Sequence, residues 1–346
     1  MFLAIRMRSS SVHFRSFADL NRDCAHLIAS LPTPVDVVAG IPRSGLLAAN
    51  LCALHLNVTL ADLDGFLEGR FLTGGQRLST GSDTVEPDPA KRTILVLDDS
   101  VLTGRSMAEA RRKIEESGAQ GRFIYGAVYA SPDAIAEVDL YADVVPQPRV
   151  FEWNLFHHRH LKRCCVDIDG VLCRDPTDQE NDDSSRYLKF LETVGIAQPS
   201  SYSIGCIVTS RLEKYRSHTE EWLQRHGIRY DRLEMASYPD AESRRRARRH
   251  GLDKAEIYRD ESYVLFIESS RAQADVIARH SGKLVYCVDD RQMIHPGVIP
   301  ATRRSLWALI ARCRKTISWL KSKTAKAVRD PVWAAQRAVE LSRKND

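Results

Sequence analysis

The segment ILVLDDSVLTGRS at 94–106 combines groups that can bind a phosphorylated sugar. Asp98 and Asp99 follow a β-branched apolar run that predicts a strand, and a Thr-Gly turn then opens a predicted helix. Ligands of open α/β sheets bind beyond the carboxyl ends of the strands. Free backbone N–H groups at a helix N-terminus favour an anion there, and the hydroxyls of Thr103 and Ser106 add hydrogen bonds. The two carboxylates can accept from ribose hydroxyls, directly or through Mg²⁺.

A second acidic pair occurs in CCVDIDGVL at 164–172. Asp167 and Asp169 are two residues apart at the end of a predicted strand, so their side chains lie on one face. Paired carboxylates at such a position suit a nucleophile and an acid/base group around one Mg²⁺. Gly170 permits a tight turn directly after them.

The elements that must position these acids alternate between strand and helix, which predicts parallel α/β sheets. The alternation stops at 144–163, which contains prolines and a basic, His-containing cluster and is typical of a domain seam. The Gly-, Ser- and Pro-containing stretch 64–92 is predicted as a long mobile loop. Before the seam the prediction is helix 16–30, strand 35–39, helix 46–56, strand 93–97, helix 106–117 and strand 123–130. After it the prediction is strand 164–168, helix 185–194, strand 204–208, helix 215–226, strand 263–267, helix 271–280 and strand 284–288.

Length and composition are those of an ordinary globular chain. A length of 346 residues favours two domains. No apolar run is long enough for a transmembrane helix, and Met1–Arg15 lacks the apolar stretch of a secretory signal. The eight cysteines contain no CxxC pair, so no zinc site is predicted. Scattered cysteines in apolar segments favour a reducing cytoplasm.

The positive charge of the chain is concentrated in its last residues. The net charge is +5, but 301–346 contains 12 Lys/Arg and 3 Asp/Glu and is therefore +9 by itself. Apolar residues recur there at helical spacing, and Trp307 and Trp319 flank a basic face. Such a helix can lie on an anionic membrane surface, or it can dock on the protein body or on a partner.

The first acidic segment resembles the signature of type I phosphoribosyltransferases, which bind phosphoribosyl pyrophosphate (PRPP). DDSVLTGRS matches their DD-x-x-x-TG-x-[ST] pattern, and GIPRSG at 40–45 lies where the family has its pyrophosphate loop. The resemblance implies that the loop 64–92 closes over PRPP, with Arg70 and Arg77 as its charge donors. It assigns the PRPP-binding residues as Arg43 and Ser44 for the pyrophosphate, Asp98 and Asp99 for the ribose hydroxyls, and Thr103, Gly104, Arg105 and Ser106 for the 5-phosphate.

The second acidic segment resembles motif one of haloacid-dehalogenase-like (HAD) phosphatases. The resemblance implies that Asp167 forms an aspartyl phosphate and that Asp169 protonates the leaving oxygen. It implies that Lys254 neutralises the charge on Asp167. The hydroxyl that binds the phosphoryl group is assigned to Thr209, with Ser210 as the alternative. The Mg²⁺ ligands by resemblance are Asp167, Asp169 and Glu268.

One residue departs from the HAD pattern, and one spacing is informative. Many relatives have a second acid directly after the first, and here Ser269 occupies that place. Reduced or lost phosphatase activity is therefore an alternative, although water or a backbone carbonyl can complete a Mg²⁺ shell. Only about 35 residues separate Asp169 from the next core strand, which leaves little room for a large cap domain. An open site of this kind suits bulky substrates.

Two further segments have a structural and a functional interpretation. FEWNLFHH at 151–158 offers Trp153 for stacking on an acceptor and His157 or His158 as a base. A packed edge strand with a solvated histidine pair is the preferred interpretation. The basic run RRRARR at 244–249 is typical of a solvated helix face, although it can also contact an anionic substrate.

Together these features predict two α/β domains with a basic tail. The prediction is a type I phosphoribosyltransferase fold at 1–158, a HAD-like Rossmannoid fold with little or no cap at 159–300, and an amphipathic helical tail at 301–346. The expected activity is phosphoribosyl transfer from PRPP to an acceptor, with a glycan as the leading candidate, followed by removal of the 5-phosphate. The pairing resembles bacterial enzymes that place ribofuranose in surface polysaccharides.

Two other functions stay open at this point. One is a nucleobase or orotate phosphoribosyltransferase with an attached nucleotidase. The other is a PRPP-sensing regulator without turnover. The expected cofactor is Mg²⁺, and the expected partners are PRPP and an acceptor molecule, with no nucleic acid. A homodimer and peripheral contact with the inner face of the cell membrane are further expectations.

Overall fold

The computed structural model describes residues 12–72, 88–260 and 262–297. The described residues up to Pro296 form one compact unit. The predicted tail at 301–346 and Arg77 of the predicted loop lie outside the described residues. None of the helices that the structure describes combines the length and the apolar character needed to span a bilayer.

The described residues form an α/β protein with alternating strands and helices. In chain order the strands are β1 His13–Arg15, β2 Val37–Gly40, β3 Thr59–Asp62, β4 Thr93–Val101, β5 Arg122–Ala130, β6 Leu140–Val144, β7 Arg149–Phe151, β8 Cys164–Val166, β9 Ile204–Leu212, β10 Tyr230–Ala236, β11 Leu265–Glu268, β12 Val285–Cys287 and β13 Gln292–Ile294. The helices are α1 Phe17–Ala29, α2 Ser44–Leu56, α3 Leu63–Leu67, α4 Arg105–Ser117, α5 Ser185–Thr193, α6 Arg216–Arg225, α7 Ala241–Ala247, α8 His250–Asp260 and α9 Arg271–Ser281.

The first sheet is parallel and has the strand order β3-β2-β4-β5-β6. Its central strand β4 is buried on both faces, because successive side chains point to opposite sides. Leu95 and Leu97 pack in the core formed with α1 and α2, whereas Ile94 and Val96 pack in the core formed with α4. This arrangement explains the continuous apolar run in the sequence. It also places the acids that follow the run at the carboxyl edge of the sheet.

The second sheet is mixed and has the strand order β10-β9-β8-β11-β12-β13. Only β13 runs antiparallel to its neighbour. Cys164 and Val166 of β8 pack in the core formed with α5 and α6, whereas Cys165 packs in the core formed with α8 and α9. Ile267 of β11 pairs with Val166 of β8, so the acids that follow these two strands are neighbours.

A small parallel pair, β1 and β7, accompanies the first sheet. It leads into α1, whose N-terminus is closed by reciprocal hydrogen bonds between Ser16 and Asp19. The cysteines among the described residues are free and buried, in agreement with the expectation of buried thiols.

The structure differs from the predicted elements at several short segments. Strands β1, β3, β6, β7, β10 and β13 and helices α3 and α8 were not predicted. The expected loop from residue 64 is wrong for 64–67, because α3 buries Leu63 and Phe66 in the core. Strand β3 has four residues, and β10 contains three charged residues without regular alternation, so neither has a pattern that identifies a strand.

Candidate active sites

The turn after β4 places the predicted phosphate-binding residues beside the acidic pair. Asp98, Thr103, Gly104, Arg105 and Ser106 line one cavity of about 240 Å³. Gly104 has φ 73°, a conformation that favours glycine, and a Cβ there would lie 2.5 Å from a carbon of the Glu137 side chain. The turn therefore depends on glycine, and helix α4 begins directly after it.

The two carboxylates at this edge have different surroundings. Asp99 accepts hydrogen bonds from Ser44 Oγ at 2.8 Å and from Trp153 Nε1 at 2.7 Å. Asp98 accepts from the Asp99 backbone N–H at 2.9 Å. Burial, followed by the charge of Asp99, raises the pKa of Asp98 to about 8. Asp98 therefore takes up a proton readily unless a cation or a hydroxyl donor balances it.

The predicted pyrophosphate loop follows β2 and lies against the same acids. Ser44 begins helix α2 and contacts Asp99, whereas Arg43 is exposed. Gly45 packs so closely on β4 that a Cβ would lie 2.9 Å from Asp98 Cα. Arg43 does not line the cavity formed by the turn after β4. Its exposed position leaves it available to a ligand group outside that cavity.

Five residues of the cavity wall come from the segment after β6, among them Gln147 and Phe151. Arg149, Asn154 and His158 line the cavity together with the turn after β4. Arg149 is only 5% exposed, and its Nη1 has no hydrogen-bond partner. Asn154 Oδ1 is also buried without a partner. Unpaired buried polar atoms are rare, so this wall of the cavity is suited to a polar ligand.

The segment 151–158 differs from the preferred sequence interpretation. It forms a 3₁₀ helix after β7, and not an edge strand. Trp153 stacks on Phe151, with ring centroids 4.8 Å apart and planes at 4°. His157 is exposed and bonds Ser201 Oγ, but His158 is half-buried, and burial lowers its pKa to about 4. The interpretation as a solvated histidine pair is therefore wrong for His158.

The second site is centred on a buried triad. Lys254 Nζ donates to Asp167 Oδ2 at 2.6 Å and to Glu268 Oε2 at 2.7 Å. Each of the three residues is at most 5% exposed. Burial raises the pKa of Asp167, and the Lys254 ammonium opposes that shift. Burial alone would lower the pKa of Lys254, but the two carboxylates raise it above its ordinary value.

Asp169 is held by an arginine that the sequence analysis did not single out. Arg211 is fully buried and donates to Asp169 through Nη2 at 2.6 Å and through Nε at 3.1 Å. Such a two-point contact fixes the orientation of a carboxylate. Gly170 follows with φ 78°, as expected for the tight turn. The sequence does contain a signal for Arg211. It follows Thr209 by two residues on the same strand, so the two side chains point to the same face of the sheet.

The hydroxyl groups at the end of β9 are placed differently. Thr209 is buried, and its Oγ1 accepts from the Arg211 backbone N–H at 3.2 Å. Ser210, the alternative, lines a cavity of about 310 Å³ together with Asp167 and Asp169. Between β8 and β9 the chain contains a single helix, α5, so no separate cap domain is inserted at that point.

The predicted Mg²⁺ ligands lie near one another, but cationic side chains and backbone donors already engage them. Asp169 is paired with Arg211, and both oxygens of Glu268 are occupied, one by Lys254 and the other by backbone N–H groups. Among the described residues no group of three or more His, Cys, Asp or Glu side chains could hold a metal ion. Carboxylate oxygens suit Mg²⁺ chemically, but carboxylates that are paired in this way do not fit a metal site.

Comparison with known proteins identifies the first half of the chain. The family model for the phosphoribosyl transferase domain matches residues 15–160. This segment is a phosphoribosyltransferase domain. No curated protein matches the sequence.

Solved structures give weaker likenesses. A purine phosphoribosyltransferase from Pyrococcus horikoshii Ot3 is 17% identical over 41% of this chain and 92% of its own, with a TM-score of 0.31. The Helicobacter pylori xanthine-guanine-hypoxanthine phosphoribosyltransferase is 15% identical over 42% of this chain and 94% of its own, with a TM-score of 0.31. A chain of a Pnkp1/Rnl/Hen1 complex is 15% identical over 73% of this chain and 94% of its own, with a TM-score of 0.26. These TM-scores are too low to support an inference about activity.

The phosphoribosyltransferase domain contains the first acidic segment and the whole wall of its cavity. The predicted type I fold and phosphoribosyltransferase activity therefore rest on the family match as well as on the motif. The following mixed-sheet domain contains the second acidic segment. Its assignment as a HAD-like phosphatase rests on the resemblance alone and stays a prediction, as do the roles of individual residues.

Proposed function

We propose that the chain ribosylates a hydroxyl-bearing acceptor in two steps. The phosphoribosyltransferase domain transfers a 5-phosphoribosyl group from PRPP to the acceptor, which is a glycan. The mixed-sheet domain then removes the 5-phosphate as a HAD-like phosphatase. The net product is a ribofuranosyl glycan of the kind used in surface polysaccharides.

The observation that carries the first step is the cavity shared by Asp98 and the turn 103–106. The helix N-terminus with its free N–H groups suits the 5-phosphate, and the carboxylates suit the ribose hydroxyls. Two crowded carboxylates, one with its pKa raised to about 8, also suit a Mg²⁺-bound diphosphate, because a divalent cation offsets their repulsion. Arg43 is exposed beside this edge and can contact the pyrophosphate.

In the first step the bond between ribose C1 and a pyrophosphate oxygen breaks, and a bond from the acceptor oxygen to C1 forms. The acceptor hydroxyl releases its proton to solvent, and pyrophosphate leaves. Charge accumulates on the leaving group, so a cation such as Arg43 stabilises the transition state more than the ground state. Trp153 and Ser44 hold Asp99 in place by hydrogen bonds at 2.7 and 2.8 Å.

The cavity wall favours a hydroxyl-rich acceptor over a nucleobase. Bases bind largely by stacking on aromatic rings. The described residues of this wall include two aromatic rings, Phe151, whose face is already stacked on Trp153, and the small imidazole of the half-buried His158. The groups without partners are instead Arg149 Nη1 and Asn154 Oδ1, a donor and an acceptor. Sugar hydroxyls satisfy both kinds of group.

In the second step the phosphoryl group moves from O5 of the ribosyl product to an Asp167 oxygen. The O5–P bond breaks, and O5 takes a proton from Asp169, which we assign as the acid group and which carries that proton only when its contact with Arg211 is released. Water then attacks the aspartyl phosphate and releases inorganic phosphate. Lys254, at 2.6 Å from Asp167, opposes protonation of the nucleophile and balances the phosphoryl oxygens.

The direct test follows the mass of the acceptor in the wild type and in Asp167→Asn. Purified protein is incubated with PRPP, Mg²⁺ and either a panel of neutral and acidic glycosides or the bases adenine, guanine and orotate. Pyrophosphate release is measured in parallel. We expect glycoside-dependent pyrophosphate release, a ribosyl product from the wild type and a phosphoribosyl product from Asp167→Asn. The double variant Asp98→Asn/Asp99→Asn should form neither.

Other outcomes would assign another function. Consumption of a free base with nucleotide formation would replace the glycan proposal by base salvage. PRPP binding without any pyrophosphate release would indicate a sensor. A phosphorylated product from both the wild type and Asp167→Asn would remove the proposed role of the mixed-sheet domain.

A further inference from the structure

The arginines of the basic run 244–249 fall into two groups. Arg246 and Arg249 pair with acidic side chains on the protein surface. Arg244, Arg245 and Arg248 form no salt bridge with any residue that the structure describes. The position of Arg244, Arg245 and Arg248 in the fold therefore needs a separate description from that of the two paired surface arginines.

The three arginines without a salt bridge line two neighbouring openings, the cavity of the proposed phosphatase site and a groove beside it. Arg244 lines the cavity that contains Asp167. Arg245 and Arg248 line an adjacent groove of about 420 Å³. His250 and Gln273 line both, so the groove lies beside the cavity. The surface of the groove is mainly apolar, but its two arginines form no salt bridge with a described residue, so positive charge without an acidic partner lies next to the cavity of the nucleophile.

Within the cavity, Arg244 is the cation that is available to a ligand. Lys254 is committed to Asp167 and Glu268 by two short hydrogen bonds. Arg244 Nη1 donates to the Ser210 carbonyl, which leaves the rest of the guanidinium for other contacts. Its Nε is buried and has no partner. A buried, unpaired donor on a cation destabilises the folded protein unless an anion or a water accepts its hydrogen bond.

We propose that Arg244 and this groove form a second anion subsite of the phosphatase site. The subsite selects phosphomonoesters whose leaving group carries a further anionic group. This inference rests on the proposed phosphatase step and adds its substrate class. In the tandem scheme the second anionic group belongs to the ribosylated acceptor, which is therefore an acidic and not a neutral glycan.

The test compares two substrates that differ by one phosphate, ribose 5-phosphate and ribose 1,5-bisphosphate. Initial rates of phosphate release and equilibrium binding by calorimetry are measured for both with the full chain. The variants are Arg244→Gln, Arg244→Lys and Arg246→Gln. Arg246 is the matched control, because it lies on the same helix, is 77% exposed and lines neither the cavity nor the groove.

We expect the wild type to prefer the bisphosphate. Arg244→Gln should raise KM for the bisphosphate about tenfold, the effect of one lost charge-assisted hydrogen bond, with little change in kcat or in the KM for ribose 5-phosphate. Arg244→Lys should recover part of the preference, and Arg246→Gln should match the wild type.

If Arg244→Gln lowers kcat/KM equally for both substrates, Arg244 only supports the end of β9, and the inference is overturned. A wild type without any preference would overturn it as well. If the wild type hydrolyses neither compound, the proposed phosphatase step fails. The calorimetric binding of the two compounds then tests the anion subsite by itself. Tighter binding of the bisphosphate that depends on Arg244 then supports the subsite, and equal binding refutes it.

Discussion

Replacement of Lys254 by methionine should destabilise the protein, and the loss should grow as pH rises. The ammonium bridges two buried carboxylates at 2.6 and 2.7 Å, so its removal leaves Asp167 and Glu268 facing each other without a cation. Breaking a buried pair in this way costs about 3–5 kcal/mol. In the variant, burial and repulsion from Glu268 raise the folded-state pKa of Asp167 above its unfolded value. Stability from such groups is present below the unfolded pKa and is lost as pH rises through the folded pKa.

Urea unfolding of the wild type and the variant at pH 5 and pH 7.5 measures this effect. The free energy of unfolding that the variant loses should be larger at pH 7.5 than at pH 5 by at least about 1.4 kcal/mol, which corresponds to a shift of one pKa unit on one carboxyl. Lys214→Met is the control, because Lys214 is 41% exposed and pairs with Asp183 at the surface. Its loss should stay below about 1 kcal/mol. An equal deficit at both pH values, or a deficit no larger than the control, would refute the reasoning.

Three further predictions concern the phosphoribosyltransferase domain. Trp153→Phe removes the 2.7 Å hydrogen bond to Asp99 but keeps a ring for stacking, and it should weaken PRPP binding about tenfold by calorimetry. Unchanged affinity would exclude a positioning role. Gly104→Ala should lower the melting temperature more than Gly118→Ala, because both have positive φ but only the former puts a Cβ 2.5 Å from another side chain. Equal shifts in thermal unfolding would argue against that clash. Arg149→Met should leave thermal stability unchanged or raised, since Nη1 is unpaired, while it lowers the acceptor-dependent rate of pyrophosphate release. An unaltered rate would remove Arg149 from the site.

The acids at the strand ends could be predicted because the cause is local. An apolar run that is buried on both faces must be a central strand, and the residues that follow it must lie at the carboxyl edge of the sheet. Asp98 and Asp167 obey this rule. The glycine after each pair is recognisable for a similar local reason, and both Gly104 and Gly170 have positive φ.

The other residues that line the two cavities could not be predicted, because contacts between distant segments of the chain bring them together. Arg149 lies in the same cavity as Asp98 only through the pairing of β7 with β1 and the path of the chain after β6. Arg244 belongs to a run whose composition is typical of a solvated face, and its neighbour Arg246 is indeed solvated. Nothing in the local sequence distinguishes the two arginines. Their difference comes from the packing of α7 beside the end of β9.

The fate of the 5-phosphate of PRPP tests the tandem scheme most directly. PRPP labelled with ³²P at the 5-position is supplied with an acceptor to the wild type and to Asp167→Asn. The account predicts that the wild type releases the label as inorganic phosphate only when an acceptor is present, whereas Asp167→Asn leaves it on the acceptor. Release of label without acceptor, or at the same rate in both proteins, would contradict the account.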